Sequence, residues 1–226
     1  MLNNKLNVKE SFYFGFNFTN KFFVLTVIPI AIVDIIIFTT MFFYQIHFHG
    51  GVLKLLFQLP LTILLIFIIY SGLLKMITRW IDKLEKPKLI DYFSWKWSLL
   101  GKYFVVSLLY YFLFSFGLLL LIIPGIYVGI IYFFVQFIVL DQNLLISEIF
   151  KKSIELTKKF KWTILIFLIL TSSLNMLSNK YFSFFKHINY SIMNIFIYIV
   201  PIIVIYAYLF AIINTSAIYF YKNVSK

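Results

Sequence analysis

Apolar residues in this chain gather into long unbroken runs instead of alternating or recurring every third or fourth position. A helix rising 1.5 Å per residue needs about 20 residues to cross a bilayer. The first two runs extend from Phe22 to Tyr44 and from Val52 to Ile77. A third stretch, Tyr103 to Leu140, is long enough for two helices and is interrupted by Pro124-Gly125, so it predicts a hairpin with a shorter second arm. The last two run from about Phe160 to Leu177 and from Ile192 to Tyr221, the latter long enough to tilt or to bend at Pro201. The first run is longer than a signal peptide's apolar core, and the following Gln45-Ile46-His47-Phe48-His49 offers no small-residue cleavage site, so it is expected to remain in the mature protein. The predicted fold class is an all-α integral membrane protein, with six transmembrane helices arranged as three hairpins.

Composition agrees. Hydrophobic residues make up 62% of the 226 and charged residues 12%, whereas a soluble domain is roughly 45–50% apolar. No water-soluble fold of this size has interior enough for that surplus, and lipid must take it. The absence of Cys excludes disulfides, thiolate nucleophiles and Cys-bound metal.

The net charge of +12 changes the picture only through its placement. Of the twenty Lys and Arg residues, all but Lys54, Lys180 and Lys186 fall in the segments that six spans would put on one side of the membrane. Positive charge is retained in the cytoplasm during insertion, so both termini are expected there. The basic balance then needs no nucleic acid as partner. Trp80, Trp95, Trp97 and Trp162, all the tryptophans, fall on the same face, where an indole is stable half in lipid and half in water.

A repeat precedes the first, third and fifth spans. Its members are Glu10, Phe12, Phe16, Lys21 and Phe22; Asp91, Phe93, Trp97, Lys102 and Tyr103; Glu148, Phe150, Ile154, Lys159 and Phe160. Each predicts a short amphipathic cytoplasmic helix ahead of a hairpin, with Lys21, Lys102 and Lys159 as interfacial anchors. One membrane domain, 1–226, would then contain units of about 7–77, 88–140 and 144–221. In the third helix Asp141 is the expected cap, Leu145, Ile149, Leu156 and Phe160 form a stripe, and Glu148/Lys152 and Glu155/Lys159 are spaced as (i, i+4) pairs. Asn7 to Glu10 has the form of a capping box for the first.

The stretch Ile122-Ile123-Pro124-Gly125-Ile126-Tyr127, through Val139-Leu140-Asp141-Gln142, to Ser153-Ile154-Glu155-Leu156-Thr157 resembles the central signature of the YciC family. These are six-span bacterial inner-membrane proteins with no established function. It is similar, more distantly, to the membrane region attached to some glycerophosphodiester phosphodiesterases. The resemblance implies a fold and a location in the bacterial inner (plasma) membrane, and it carries over no catalytic residues.

Asp34 is the one ionisable residue deep inside a predicted span, about 18 Å along it. A charge at that depth costs at least ~2.5 kcal/mol, so the side chain is expected to face the bundle interior as the neutral acid, bonded to Gln58, Asn194 or Asn214. A satisfied structural acid and a proton-relay or substrate-contacting acid are the alternatives. His47 and His49 could bind a metal only with further ligands, and His187 lies in another loop, so loop histidines are the simpler account. Gly125/Gly129 and Ala207/Ala211/Thr215 put small residues on one helix face, for internal packing or self-association. Pro29, Pro60 and Pro201 suit static kinks better than hinges.

No nucleophile and base, carboxylate pair or phosphate loop is apparent, so neither an enzyme nor a cofactor is expected. The leading expectation is a non-enzymatic structural or accessory role in the cell envelope, exercised through membrane lipids and through membrane-protein partners or self-association. The alternative is a small transporter or channel for a lipid-like or amphipathic substrate, built around Asp34.

Overall fold

The computed structural model describes residues 8–47, 51–83, 85–93, 96–185 and 200–225, with the backbone alone for 37–47, 51–59, 62, 83, 175, 178–185 and 200. Among the described residues all regular structure is helical. The elements are α1 (Val8–Lys21), α2 (Phe23–His47), α3 (Gly51–Thr78) running into a π-helical turn (Arg79–Lys83), a 3-10 turn (Leu89–Tyr92), α4 (Trp97–Leu120), α5 (Ile122–Ile131), α6 (Val135–Asp141), α7 (Ile146–Thr157), α8 (Lys161–Phe185) and α9 (Val200–Val224). Four stretches are long and apolar enough to cross a membrane: Ile63–Asp82, Trp97–Leu120, Ile122–Asp141 and Pro201–Val224. A fifth is added if α1 and Phe23–Ile36, which meet at 89°, count as one broken span, while Lys161–Leu174 is apolar but shorter. The described residues therefore establish an all-α, membrane-type fold with four to five candidate spans, against the six predicted.

The long arms meet as the sequence expects, but the hairpin turns earlier. The chain breaks at Leu121, which is extended (φ −165°, ψ 154°), and Pro124 sits in the first turn of α5, where a missing N–H costs nothing. Gly125 lets the arms touch, since a Cβ there would lie 2.8 Å from the backbone nitrogen of Leu118. A second interruption separates α5 from α6. Val135 N–H turns to the Tyr132 carbonyl (3.1 Å), leaving the Ile131 carbonyl without its helical donor. Ser153 Oγ donates to that oxygen instead (2.9 Å), with Thr157 Oγ1, one turn on along α7, 3.4 Å from it and 3.1 Å from the Ile154 carbonyl of its own helix. In an apolar medium such a carbonyl must be satisfied internally.

Pro29 inside α2 poses the same problem. Its ring removes the donor for the Leu25 carbonyl four residues back. The Tyr92 hydroxyl supplies it at 2.9 Å. Tyr92 is 1% exposed, and its ring lies against Gly72 so closely that a Cβ there would overlap it.

Two of the predicted amphipathic helices form and one does not. α1 buries Ser11, Gly15, Phe18 and Thr19 on one face, and this small-residue seam packs α1 onto α9. Thr19 and Thr215 hydroxyls meet at 3.3 Å across it. α7 buries Ile149, Ser153 and Thr157, whereas Leu145, expected on the buried stripe, is exposed. Its cap is also different. Glu148 accepts the Leu145 N–H (2.8 Å), while Asp141 ends α6. Lys152 donates to Gln142 (2.6 Å) instead of pairing with Glu148. Before α4 the repeat gives the four-residue 3-10 turn, and Lys102 lies within α4 itself. The cause is Asp91, which is drawn inward to Arg79 (3.0 Å) and accepts the Lys88 N–H (3.0 Å), pinning the segment against the end of α3. Asn7 lies outside the described residues. Where α1, α6, α8 and α9 converge, Phe12–Phe167, Phe134–Phe220 and Phe160–Phe220 stack or abut at 5.1, 6.0 and 5.3 Å, forming an aromatic core.

Candidate functional site

Asp34 stands on α2 one residue beyond buried Val33, and its neighbours along the helix are apolar. It opens onto a cavity of about 350 Å³ enclosed by α2, α3, α4, α8, α9 and the α5–α6 junction. Its Oδ2 is buried and has no hydrogen-bond partner among the described residues. The expected satisfaction by Asn214 does not occur. Asn214 lines the same cavity, but its Nδ2 donates to the Phe210 carbonyl one turn back (2.8 Å). Thr171 likewise spends its hydroxyl on the Phe167 carbonyl (2.8 Å). The Gln58 side chain and Asn194 lie outside the described residues.

The rest of the polar lining was not singled out by the sequence. Tyr70, Tyr110, Tyr111, Tyr132 and Tyr206 reach the cavity from four different parts of the chain, together with Gln136. Tyr110 and Tyr111 rings are 5.4 Å apart. The α5–α6 break has a direct consequence here, because Tyr132 lies in the break and Gln136 follows in the first turn of α6. No Lys, Arg or His is among the described residues lining the cavity. The available sequence signal was a polar side chain recurring within apolar runs, such as Gln136 and the Tyr110-Tyr111 pair. With sixteen tyrosines in the chain, that signal does not say which of them converge.

A second concavity of about 580 Å³ lies between α1 and the end of α3, lined by Lys9, Glu10, Tyr13, Lys21, Trp80 and Tyr219 among others. Lys21 Nζ sits 4.2 Å from the Trp80 ring centre, a cation–π contact. The predicted anchors otherwise differ in setting. Trp97 and Trp162, at the starts of α4 and α8, are 78% and 80% exposed. Lys102 donates to Asn143 (3.3 Å), Lys159 is exposed in the turn before α8, and Trp95 lies outside the described residues. Asp141 pairs with Lys222 (3.0 Å) and accepts from the Tyr221 hydroxyl (3.1 Å), tying α6 to the end of α9.

Gly125, Gly129, Ala207, Ala211 and Thr215 are all buried within the chain, which assigns the small-residue stripes to internal packing. Pro29 and Pro60 lie within continuous helices, and Pro201 is helical in α9, beside the first described residue of that helix. The side chain of His47, with His49 and His187, lies outside the described residues, among which there is no group of three His, Cys, Asp or Glu placed to hold a metal. Comparison with family models, with curated proteins and with solved structures finds no match to this chain.

Proposed function

We propose that this chain is a small bacterial inner-membrane transporter that passes an amphipathic solute through the cavity at Asp34. The observation that carries this reading is the cavity itself. A protein whose only task is to hold helices together gains from filling its interior, since each void forfeits contact energy. Here tyrosines of α3, α4, α9 and the α5–α6 junction converge on unfilled space, and an acid inside it has an oxygen with no partner among the described residues. A volume of this size falls in the range of small-molecule sites.

The finer architecture belongs to the same proposal. Six spans in three hairpin units, with both termini cytoplasmic, is supported by the collection of Lys21, Trp80, Lys102, Asp141 and Lys222 around the contacts that join the ends of α3, α6 and α9 to α1 and the start of α4. Kinship with the YciC family stays within the proposal, supported by the hairpin that turns at Leu121, just before Pro124-Gly125, and by Ser153 and Thr157. The structural or accessory role is the second reading. It is favoured by the groove between α1 and Trp80, whose lysines and aromatics suit lipid headgroups. Neither reading requires an enzyme, a cofactor or nucleic acid.

The test is flux from liposomes containing the purified protein and loaded with labelled tetraethylammonium, glycerol or salicylate, a cation, a neutral solute and an anion. Passage of at least one, about threefold or more above protein-free liposomes and blocked by Gln136→Trp, which fills the cavity, is the expected result. Leakage equal to protein-free liposomes for all three refutes transport and leaves the structural reading.

A further inference from the structure

Within that transport reading, we infer that the cavity selects small organic cations, of the substituted or quaternary ammonium class. The inference rests on what the cavity contains and on what it lacks. Among the described residues it contains one carboxyl group, on Asp34, whose Oδ2 is buried and has no partner among them. Among the described residues of its lining there is no Lys, Arg or His, so these supply no counter-charge. Its walls present the rings of Tyr70, Tyr110, Tyr132 and Tyr206, with Phe133 and Phe210. These side chains, which come from separate parts of the chain, line one and the same space.

A cation answers both features at once. An aromatic face attracts positive charge through its quadrupole, and several faces around one volume form a cage for an alkylammonium group. A bound cation favours ionisation of the acid beside it, and the resulting carboxylate, removed from water, interacts with the cation far more strongly than it would in solvent. An anion would meet an acid and the negative faces of the rings. A neutral solute would draw nothing from the quadrupoles. Hydroxyls on the tyrosines, with Gln136 and Asn214, then provide donors and acceptors for a polar tail on the cation.

The experiment is calorimetric titration of the full-length protein in lipid nanodiscs, corrected with empty discs, using three probes of one shape. These are choline, the neutral alcohol in which carbon replaces its quaternary nitrogen, and the anion tert-butylacetate. The wild type is expected to bind choline about tenfold or more tighter than the neutral alcohol, with tert-butylacetate weakest. Asp34→Asn keeps the side-chain volume and is expected to weaken choline about tenfold or more while changing the alcohol less than about threefold. Tyr206→Leu and Tyr110→Leu each remove one ring and are expected to weaken choline about threefold with the alcohol unchanged. Thermal unfolding midpoints establish that each variant is folded.

Equal binding of choline and the alcohol overturns the cation assignment. So does choline binding that is unaffected in folded Asp34→Asn, or, should that variant not fold, in both leucine variants. Absence of choline binding together with solute flux in the liposome assay overturns the cation class alone. Absence of both overturns the transport reading with it.

Discussion

The Tyr92 hydroxyl stands in for the backbone donor that Pro29 lacks, and this substitution of one donor for another can be measured. Tyr92→Phe removes a 2.9 Å bond to the Leu25 carbonyl. The ring and its packing against Gly72 remain, so little cavity term enters. What is lost is the donor to a carbonyl already deprived of its helical partner, which costs about 1–3 kcal/mol. In a Pro29→Ala background the cost should shrink, because the alanine restores an N–H to the same oxygen. A double-mutant cycle on chemical unfolding in mixed detergent micelles should therefore give a coupling energy of about 1–2 kcal/mol between positions 29 and 92. The pH dependence supplies an independent check. Burial raises the Tyr92 phenol well above its ordinary value, so the folded side chain remains a donor at high pH. Its contribution is complete below the unfolded phenol's value of about 10 and is lost as pH rises beyond that. The stability gap between wild type and Tyr92→Phe should thus be flat at neutral pH and narrow above about pH 10. A Tyr92→Phe cost that is the same with proline and with alanine at position 29 would falsify the donor-replacement argument.

Two further predictions concern packing and charge. Gly15→Ala would put a methyl carbon 2.7 Å from the Ile212 carbonyl oxygen and displace the Ser216 hydroxyl that donates to it, whereas Gly101→Ala meets nothing within 4 Å. Both gain about 1 kcal/mol of helix propensity, but only Gly15→Ala incurs about 1–3 kcal/mol of overpacking, so its unfolding free energy should fall below that of Gly101→Ala by that amount, and equal stabilities would disprove the close α1–α9 contact. Removing Arg79 takes the guanidinium from Asp91, which is 1% exposed, whereas removing the charge of Asp91 leaves Arg79 a third exposed and still 3.4 Å from Glu85. Arg79→Ala should cost about 3 kcal/mol and Asp91→Asn about 1 kcal/mol, and denaturation curves showing the reverse order would refute the pinning of the α3–α4 link.

The helical class, the long apolar stretches, α1 as an amphipathic element and the hairpin near Pro124 were legible from composition and periodicity alone. These are local properties. A helix's backbone hydrogen bonds are satisfied within the segment, and whether a run can face lipid depends on the side chains in that run. Asp34 was legible for the same reason, because an acid in an apolar run is costly wherever the other helices lie.

What surrounds Asp34 was decided by the tertiary structure. Nothing in the spacing of Tyr70, Tyr110, Tyr132 and Tyr206 relates them, since their meeting depends on how α3, α4, α9 and the α5–α6 junction come together around α2. The repeat before α4 does not form a helix because Arg79, in the π-helical turn that ends α3, claims Asp91 across the bend between them. Ser153 and Thr157 look like ordinary positions on an amphipathic face until the α5–α6 break exposes the Ile131 carbonyl that they cover. In each case a backbone or side-chain group takes its partner from a separate element, and a one-dimensional pattern does not contain that exchange.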